Sequence, residues 1–451
     1  MAEEKDKEKR PTVKLLADGF FRDFGHRMIG ETEYQVLILW RGDYYVWDNG
    51  VYRLMDDEEL KARIVMYLQG RDVPATPDNV SAIKLNLSPH TLAYKERVPN
   101  TSLLETNRER VGEPVHAIAL GNGIVHFDDR GGVTFTPHSP TFFNLSKLPY
   151  NYDPSAGCPR WEQFMEEVTV DDPDTRRLLK QWFGYLLWPS DPFESFLVAV
   201  GEAAAGKGTC AGVAVKMLGA ANCSGLSPRR FVDQFSLYHS YGKMLNVVDE
   251  SDAELTPQIE EVIKIWTGKG ILTFEKKYGE TIHSKATAKL MMLGNSLPTF
   301  TDKTNGTWRR LKIAPFHREH PEIVDGALDA KLERELPGIF NWAVEGLQDL
   351  LQNNGFTIPE TGREAWEESK REANPAGMFL EETYRYDQDA DGIPRREAYA
   401  LYRVWCKNHG NHPLNDSNFG KQVRRVFPKV KDVQKRNEKG RTWLYSGMVK
   451  L

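Results

Sequence analysis

An apolar run, Phe196-Leu-Val-Ala-Val200, leads straight into Gly201-Glu-Ala-Ala-Ala-Gly206-Lys207-Gly208-Thr209, and few local patterns restrict a fold so tightly. The run is short and bounded by glycine, which reads as a buried strand. A turn of small residues that ends in lysine and opens a helix aims backbone N–H groups and the positive end of the helix dipole at one spot. That spot suits a polyphosphate. Gly201, Ala205, Gly206, Lys207, Gly208 and Thr209 would surround it, with Lys207 reaching the β- and γ-phosphates. The pattern G-x-x-x-x-G-K normally continues with a hydroxyl residue for magnesium. Here Gly208 takes that place and Thr209 follows one position late. Taken alone, a structural Gly/Ala turn explains the segment too.

The order of features downstream argues for the phosphate reading. Lys243-Met-Leu-Asn-Val-Val-Asp249-Glu250 is an apolar strand ending in two acids. In such a Walker B arrangement Asp249 serves magnesium, alongside Thr209, and Glu250 polarises the attacking water. A second strand, Lys289-Leu-Met-Met-Leu-Gly294, ends at Asn295, whose amide is suited to sensing a γ-phosphate. Trp308-Arg309-Arg310 then precedes Leu311-Lys-Ile-Ala-Pro-Phe316. Arg309 or Arg310 would neutralise transition-state charge at a neighbouring subunit's nucleotide. An acidic strand exit or a basic turn is ordinary by itself; four such pieces in this order are not.

These motifs resemble those of superfamily-3 helicases, most nearly the helicase module of poxvirus-type and phage- or plasmid-type helicase–primases. Further stretches carry the resemblance: Pro137-His-Ser-Pro140, Leu148-Pro-Tyr-Asn-Tyr-Asp-Pro154, Cys158-Pro-Arg-Trp161, Gln181-Trp-Phe-Gly-Tyr-Leu-Leu187, Thr267-Gly268 with Phe274-Glu-Lys-Lys-Tyr278, and Gly294-Asn295-Ser-Leu-Pro298. Near the C-terminus Leu401-Tyr402, Trp405-Cys406, Phe419-Gly420 and Tyr445-Ser-Gly447 look like the family's winged-helix tail. The resemblance implies an α/β chain: an AAA+-like P-loop ATPase core, a mixed α+β N-terminal domain and a C-terminal winged-helix domain. It further implies ATP and Mg2+ as cofactors, a homo-oligomer that is a hexamer, single-stranded and forked DNA as partners, and 3′-to-5′ travel. The setting it implies is replication of a phage, virus or mobile genetic element in the bacterial or host-cell cytosol. Three departures stand out. Ala203, Ala204 and Ala205 replace the family's usual glycines or Asn, so a loop that needs positive φ would be strained. Gly208 removes the expected hydroxyl, and Gly268-Lys269-Gly270 replaces the family's usual Gly-Gly-Asp.

Net charge is only −5, so the whole chain does not advertise a nucleic-acid partner. Residues 411–451 do: ten lysines and arginines stand against three acids, a basic unit on an otherwise acidic chain. Pro394–Gly410 reads as one helix, and Asn415 or Asp416 caps a second. That second helix carries Lys421, Arg424 and Arg425 outward and Phe419, Val423 and Val426 inward. Asp432–Tyr445 then reads as a hairpin with Lys435, Arg436 and Arg441, giving a helix, a basic helix and a basic wing for DNA. In the motor, Lys276 and Lys277 between Phe274 and Tyr278 combine charge with aromatic faces, as a hairpin gripping a single strand would.

The chain divides on these signals into a charged tail (1–11), an N-terminal α+β domain (12–150), a helical collar (151–190), the ATPase domain (191–345), a helical linker (346–380) and the winged-helix domain (381–451). Within the N-terminal domain Asn49-Gly50 predicts a type I′ hairpin turn. Asp56–Gly70 predicts a capped helix, and 118–127 and 133–135 predict a strand pair. No run of 18 apolar residues occurs, which excludes a membrane-spanning helix. The N-terminus has no secretion signal, and four cysteines without paired spacing fit a reducing compartment. Asp387-Gln-Asp389-Ala-Asp391-Gly392 opens like a calcium loop but has Ala398 where the last ligand belongs. Cys406, His409 and His412 lack a fourth ligand. No zinc ribbon or polymerase-like acid cluster is visible, so a primase or polymerase would be a separate partner. Two other readings fit less of the chain: a nucleotide-binding initiator or loader that does not unwind, and a small-molecule P-loop kinase.

Overall fold

The computed structural model describes residues 11–93, 99, 102–104, 116–190, 192–249, 255–277, 281–300, 305–318, 325–372, 374–437 and 440–451. Its centre is a five-stranded sheet in the order Cys223–Ser224, Leu245–Val248, Lys289–Gly294, Phe196–Val200, Leu311–Pro315. Every adjacent pair is parallel. A parallel sheet is covered on both faces, which is why its strands are almost continuously apolar. Alternate residues serve opposite faces: Leu197, Ala199, Met291 and Leu293 join one core, and Phe196, Val198, Leu290 and Met292 join the other.

The first of these cores is closed by two helices, Pro173–Leu187 and Leu336–Asn353. They touch backbone to backbone. A Cβ on Gly184 would collide with Leu347 N, and one on Gly346 with the Lys180 carbonyl. Gln181 is fully buried at this crossing. It donates to Asp349 Oδ2 at 2.6 Å and accepts from Thr357 N–H at 2.7 Å. Asp349 is also gripped by Arg177, whose guanidinium holds that carboxyl below its ordinary range.

The N-terminal region packs the helix Val13–Phe24 and the capped helix Asp57–Gln69 with a three-stranded meander, Leu37–Trp40, Asp43–Asp48 and Val51–Met55. The Asn49-Gly50 turn forms with φ 47° and 86°, as a type I′ hairpin requires. The expected single strand over 118–127 is corrected: the chain reverses at Gly121-Asn122, giving Ala117–Leu120 and Gly123–Phe127, which pairs with Val133–Thr136. Asn122 fixes that reversal by bonding both the carbonyl and the N–H of Tyr152. The C-terminal region forms the helices Pro375–Thr383, Arg395–Asn408 and Asp416–Val426, then the antiparallel hairpin Lys431–Asn437 with Gly440–Ser446.

Replacing Gly346 with Ala should force the two crossing helices apart and lower stability by about 1–3 kcal/mol. A urea unfolding midpoint that stays at the wild-type value would contradict the close crossing.

Candidate functional site

Strand register decides which residues meet at the carboxyl edge of the sheet. Val200 aligns with Gly294, and Val248 with Met292. The residues that follow these strands, Gly201, Asn295 and Asp249, therefore emerge side by side at one edge. Lys207 is largely buried among them, at 9% exposure. Its ammonium donates to the carbonyls of Gly201 at 2.5 Å and Glu202 at 2.8 Å, and to Asn295 Oδ1 at 3.3 Å. Asp249 and Asn295 are exposed. Glu250, proposed from sequence as the base, lies outside the described residues.

The loop between strand and helix is tightly braced. Gly201 has φ +154° with the Phe316 carbonyl where a Cβ would sit, and Gly206 has φ +101° with Val168 Cγ1 2.6 Å from that point. Both positions need glycine. Ala204 has φ +60°, so the strain expected from alanine in this loop falls on one residue. The helix Lys207–Leu218 starts at Gly206, and Cys210 N–H is the first to bond back, to the Gly206 carbonyl at 2.9 Å. The N–H groups of Lys207, Gly208 and Thr209 belong to the open first turn. Ala205 is buried beneath them, Thr209 is half-buried, and a Cβ on Gly208 would meet open space. This donor set fits a magnesium polyphosphate: an open helix start, an ammonium, a carboxylate and a hydroxyl. The missing hydroxyl at 208 is not imposed by crowding.

Arg309 and Arg310 lie elsewhere. Leu311 aligns with Phe196 at the start of the central strand, so both arginines sit at the amino edge, a five-residue strand or about 16 Å from the loop. Arg310 is buried, donating to Glu194 Oε2 at 2.8 Å and the Gly306 carbonyl at 2.8 Å. Arg309 is 66% exposed, and among the described residues its guanidinium makes a long, 3.4 Å contact with Glu194. The pair that looks equivalent in sequence is thus one anchored and one open arginine. Lys312 donates to the Arg309 carbonyl at 3.0 Å, and burial pulls its pKa down to about 8. Neither Glu194 nor Lys312 carried a sequence signal for this role.

The basic residues named from sequence divide as well. Lys276 leaves the hairpin Leu272–Glu275/Thr281–Ser284 and reaches Asp43 of the N-terminal meander at 3.5 Å. Lys277 is exposed, while Tyr278 lies outside the described residues. On the helix Asp416–Val426, Lys421, Arg424 and Arg425 are exposed while Phe419 and Val423 are buried. Asn415 caps it through Asn418 N–H at 2.9 Å. Arg424 is paired with Asp432 at 2.8 Å, and Lys435 with Asp391 at 2.5 Å. Arg436 and Arg441 are exposed and face each other across the hairpin. Among the described residues no group of three or more His, Cys, Asp or Glu is arranged for a metal. Burial pushes the Cys158, Cys210 and Cys223 thiols up to about 12, which makes them poor nucleophiles at neutral pH.

Three stretches match known families: residues 17–170 the D5 N-terminal-like family, 199–310 a family of unknown function (DUF5906), and 373–447 the RFX DNA-binding domain. A candidate helicase of Acanthamoeba polyphaga mimivirus, L207/L206, is 27% identical over 167 residues, 33% of this chain and 17% of that protein. The DNA-binding protein RFX7 of Xenopus laevis is 27% identical over 101 residues, 22% of this chain and 7% of that protein. The chain therefore spans less than a fifth of the length of either curated relative. The apo A-form structure of the NrS-1 C-terminal region superposes with a TM-score of 0.58 at 10% identity, over 97% of this chain and 100% of that one. An apo structure of NrS-1 residues 305–718 gives 0.56 at 10% identity over the same shares. The likeness of fold thus extends over 97% of this chain. Among the described residues no helix is long and apolar enough to cross a membrane.

Ala204→Gly should relieve the left-handed strain, offset in part by unfolded-chain entropy, for a net gain of about 0.5–1 kcal/mol. Thermal unfolding of the two proteins side by side measures it; a lower melting point for the glycine variant would contradict the assigned loop conformation.

Proposed function

We propose that this chain is an ATP-driven, ring-forming DNA helicase, an AAA+-like motor of the superfamily-3 type. It serves replication of a phage, virus or mobile element. One observation carries the reading: phosphate-binding groups and an acid converge at one edge of the sheet, while the exposed Arg309 stands at the other. An arginine about 16 Å from its own loop acts on a nucleotide only from a neighbouring subunit. The D5-like N-terminal region, the similarity to a candidate viral helicase and the RFX-like C-terminal region support a role on DNA.

In this mechanism the N–H groups of residues 206–209 bind the phosphates, and the Lys207 ammonium moves from its own loop carbonyls onto them. Asp249 and Thr209 would hold magnesium, which neutralises phosphate charge when bound. Glu250 takes a proton from the attacking water, and Asn295, already in contact with Lys207, registers whether the terminal phosphate is present. Arg309 of the adjoining protomer stabilises the transferring phosphoryl group. Lys276 and Lys277 couple the cycle to single-stranded DNA, and the C-terminal helix and wing engage the fork. A hexamer with 3′-to-5′ travel, and a separate primase or polymerase, belong to the same proposal. A slow initiator or loader is the second reading, favoured by strained Ala204 and the absent hydroxyl at Gly208.

ATPase with and without single-stranded DNA, and unwinding of a forked duplex, separate the two. Lys207→Ala should lose on the order of 100-fold or more in hydrolysis. Arg309→Ala should lose on the order of 1,000-fold and should also depress wild-type subunits when mixed with them, whereas Arg310→Ala should mainly lower stability. Gly208→Thr should tighten magnesium dependence. Hydrolysis without DNA stimulation and without unwinding would leave the loader reading standing.

A further inference from the structure

Two consecutive hairpin turns of the N-terminal meander have the same backbone geometry and different chemistry. Asn49-Gly50 joins Asp48 to Val51 with φ 47° and 86°; Arg41-Gly42 joins Trp40 to Asp43 with φ 51° and 86°. Asparagine adopts the left-handed position readily, and arginine does so only at a cost in backbone strain. Backbone strain of this kind, where an unstrained residue is available next door, points to a side chain kept for another purpose.

The Arg41 side chain lies over the Trp40 ring, 5.2 Å from its centre, and among the described residues its buried Nε has no hydrogen-bond partner. It opens onto a cleft of about 590 Å³ between the meander and the ATPase region. Across the cleft stand Tyr238 and Tyr241, with rings 6.3 Å apart and nearly parallel, and Lys243 and Lys276. Tyr45 lies beside Arg41 on the near wall, and Tyr45, Tyr238 and Tyr241 are all half-buried. Asp43 is the cleft's one lining carboxylate among the described residues, and it pairs with Lys276 at 3.5 Å. Three cations interleaved with tyrosine faces match a flexible polyanion whose bases stack, which is single-stranded nucleic acid.

We infer that this cleft is a binding site for single-stranded nucleic acid, with Arg41 and Lys276 on the phosphates and the tyrosines under the bases. It extends the single-strand contact proposed above for Lys276 to Arg41 and the tyrosines, lies apart from both the nucleotide loop and the C-terminal wing, and requires no hydrolysis. Asp43 then acts as a placeholder that holds Lys276 until a phosphate displaces it.

The test is fluorescence anisotropy of a labelled oligothymidylate with the full chain, without nucleotide. Arg41→Asn should raise the melting temperature, because asparagine suits the turn, while weakening the oligonucleotide about tenfold. It should also flatten the salt dependence by about 0.7 in log–log slope. Asp43→Asn should tighten binding about threefold, since it removes the competing charge. The same changes should persist when Arg436→Ala and Arg441→Ala are also present. DNA-independent ATPase should be unaltered by Arg41→Asn. Unchanged affinity in Arg41→Asn, or weaker binding in Asp43→Asn, overturns the assignment. So does displacement of the oligonucleotide by free ATP in a Lys207→Ala background, which would make the cleft a mononucleotide site. An inactive ATPase would sink the helicase reading without touching this one.

Discussion

The contact of the Lys207 ammonium with the Gly201 and Glu202 carbonyls and the Asn295 amide ties two neighbouring strand ends together. That contact exists only because the central strand lies beside the Asn295 strand, which separates it from the Asp249 strand. A different strand order would scatter the same motifs around the sheet. The order in turn depends on strands apolar on both faces and on two helices close enough to cover one of them. Glycine at 184 and 346 permits that approach. The site is therefore a property of the whole packed domain, although its residues are quoted as short motifs.

Much of this was legible in the sequence. The continuous apolar character of Phe196–Val200 and Lys289–Gly294 announced a two-sided sheet, Asn49-Gly50 and Asp56 announced their turn and cap by local chemistry, and Asn415-Asp416 announced a helix start without saying which of the two caps it. Basic outward and apolar inward positions on Asp416–Val426 followed from helical spacing alone. What failed did so for long-range reasons. Gly121-Asn122 looked like strand interior because the reversal is fixed by Tyr152, 30 residues later. Arg309 and Arg310 were indistinguishable because Glu194, which sorts them, is more than 100 residues away in the chain.

Charged residues at the N-terminal meander were harder still to read. Trp40-Arg41-Gly42-Asp43 has no motif status, and composition gives the first third of the chain no basic bias worth noting. Only the backbone angle at Arg41, compared with the same angle at Asn49, marks the position as unusual. Sequence patterns report what stabilises a turn. They do not report what a turn tolerates for the sake of its side chain.

The facing pair Arg436 and Arg441 on the C-terminal hairpin carries its own consequence. Like charges directly opposed across two strands repel, and dissolved salt softens that repulsion. The hairpin is thus least stable in dilute buffer, and it steadies as ionic strength rises and the opposition of Arg436 and Arg441 is screened.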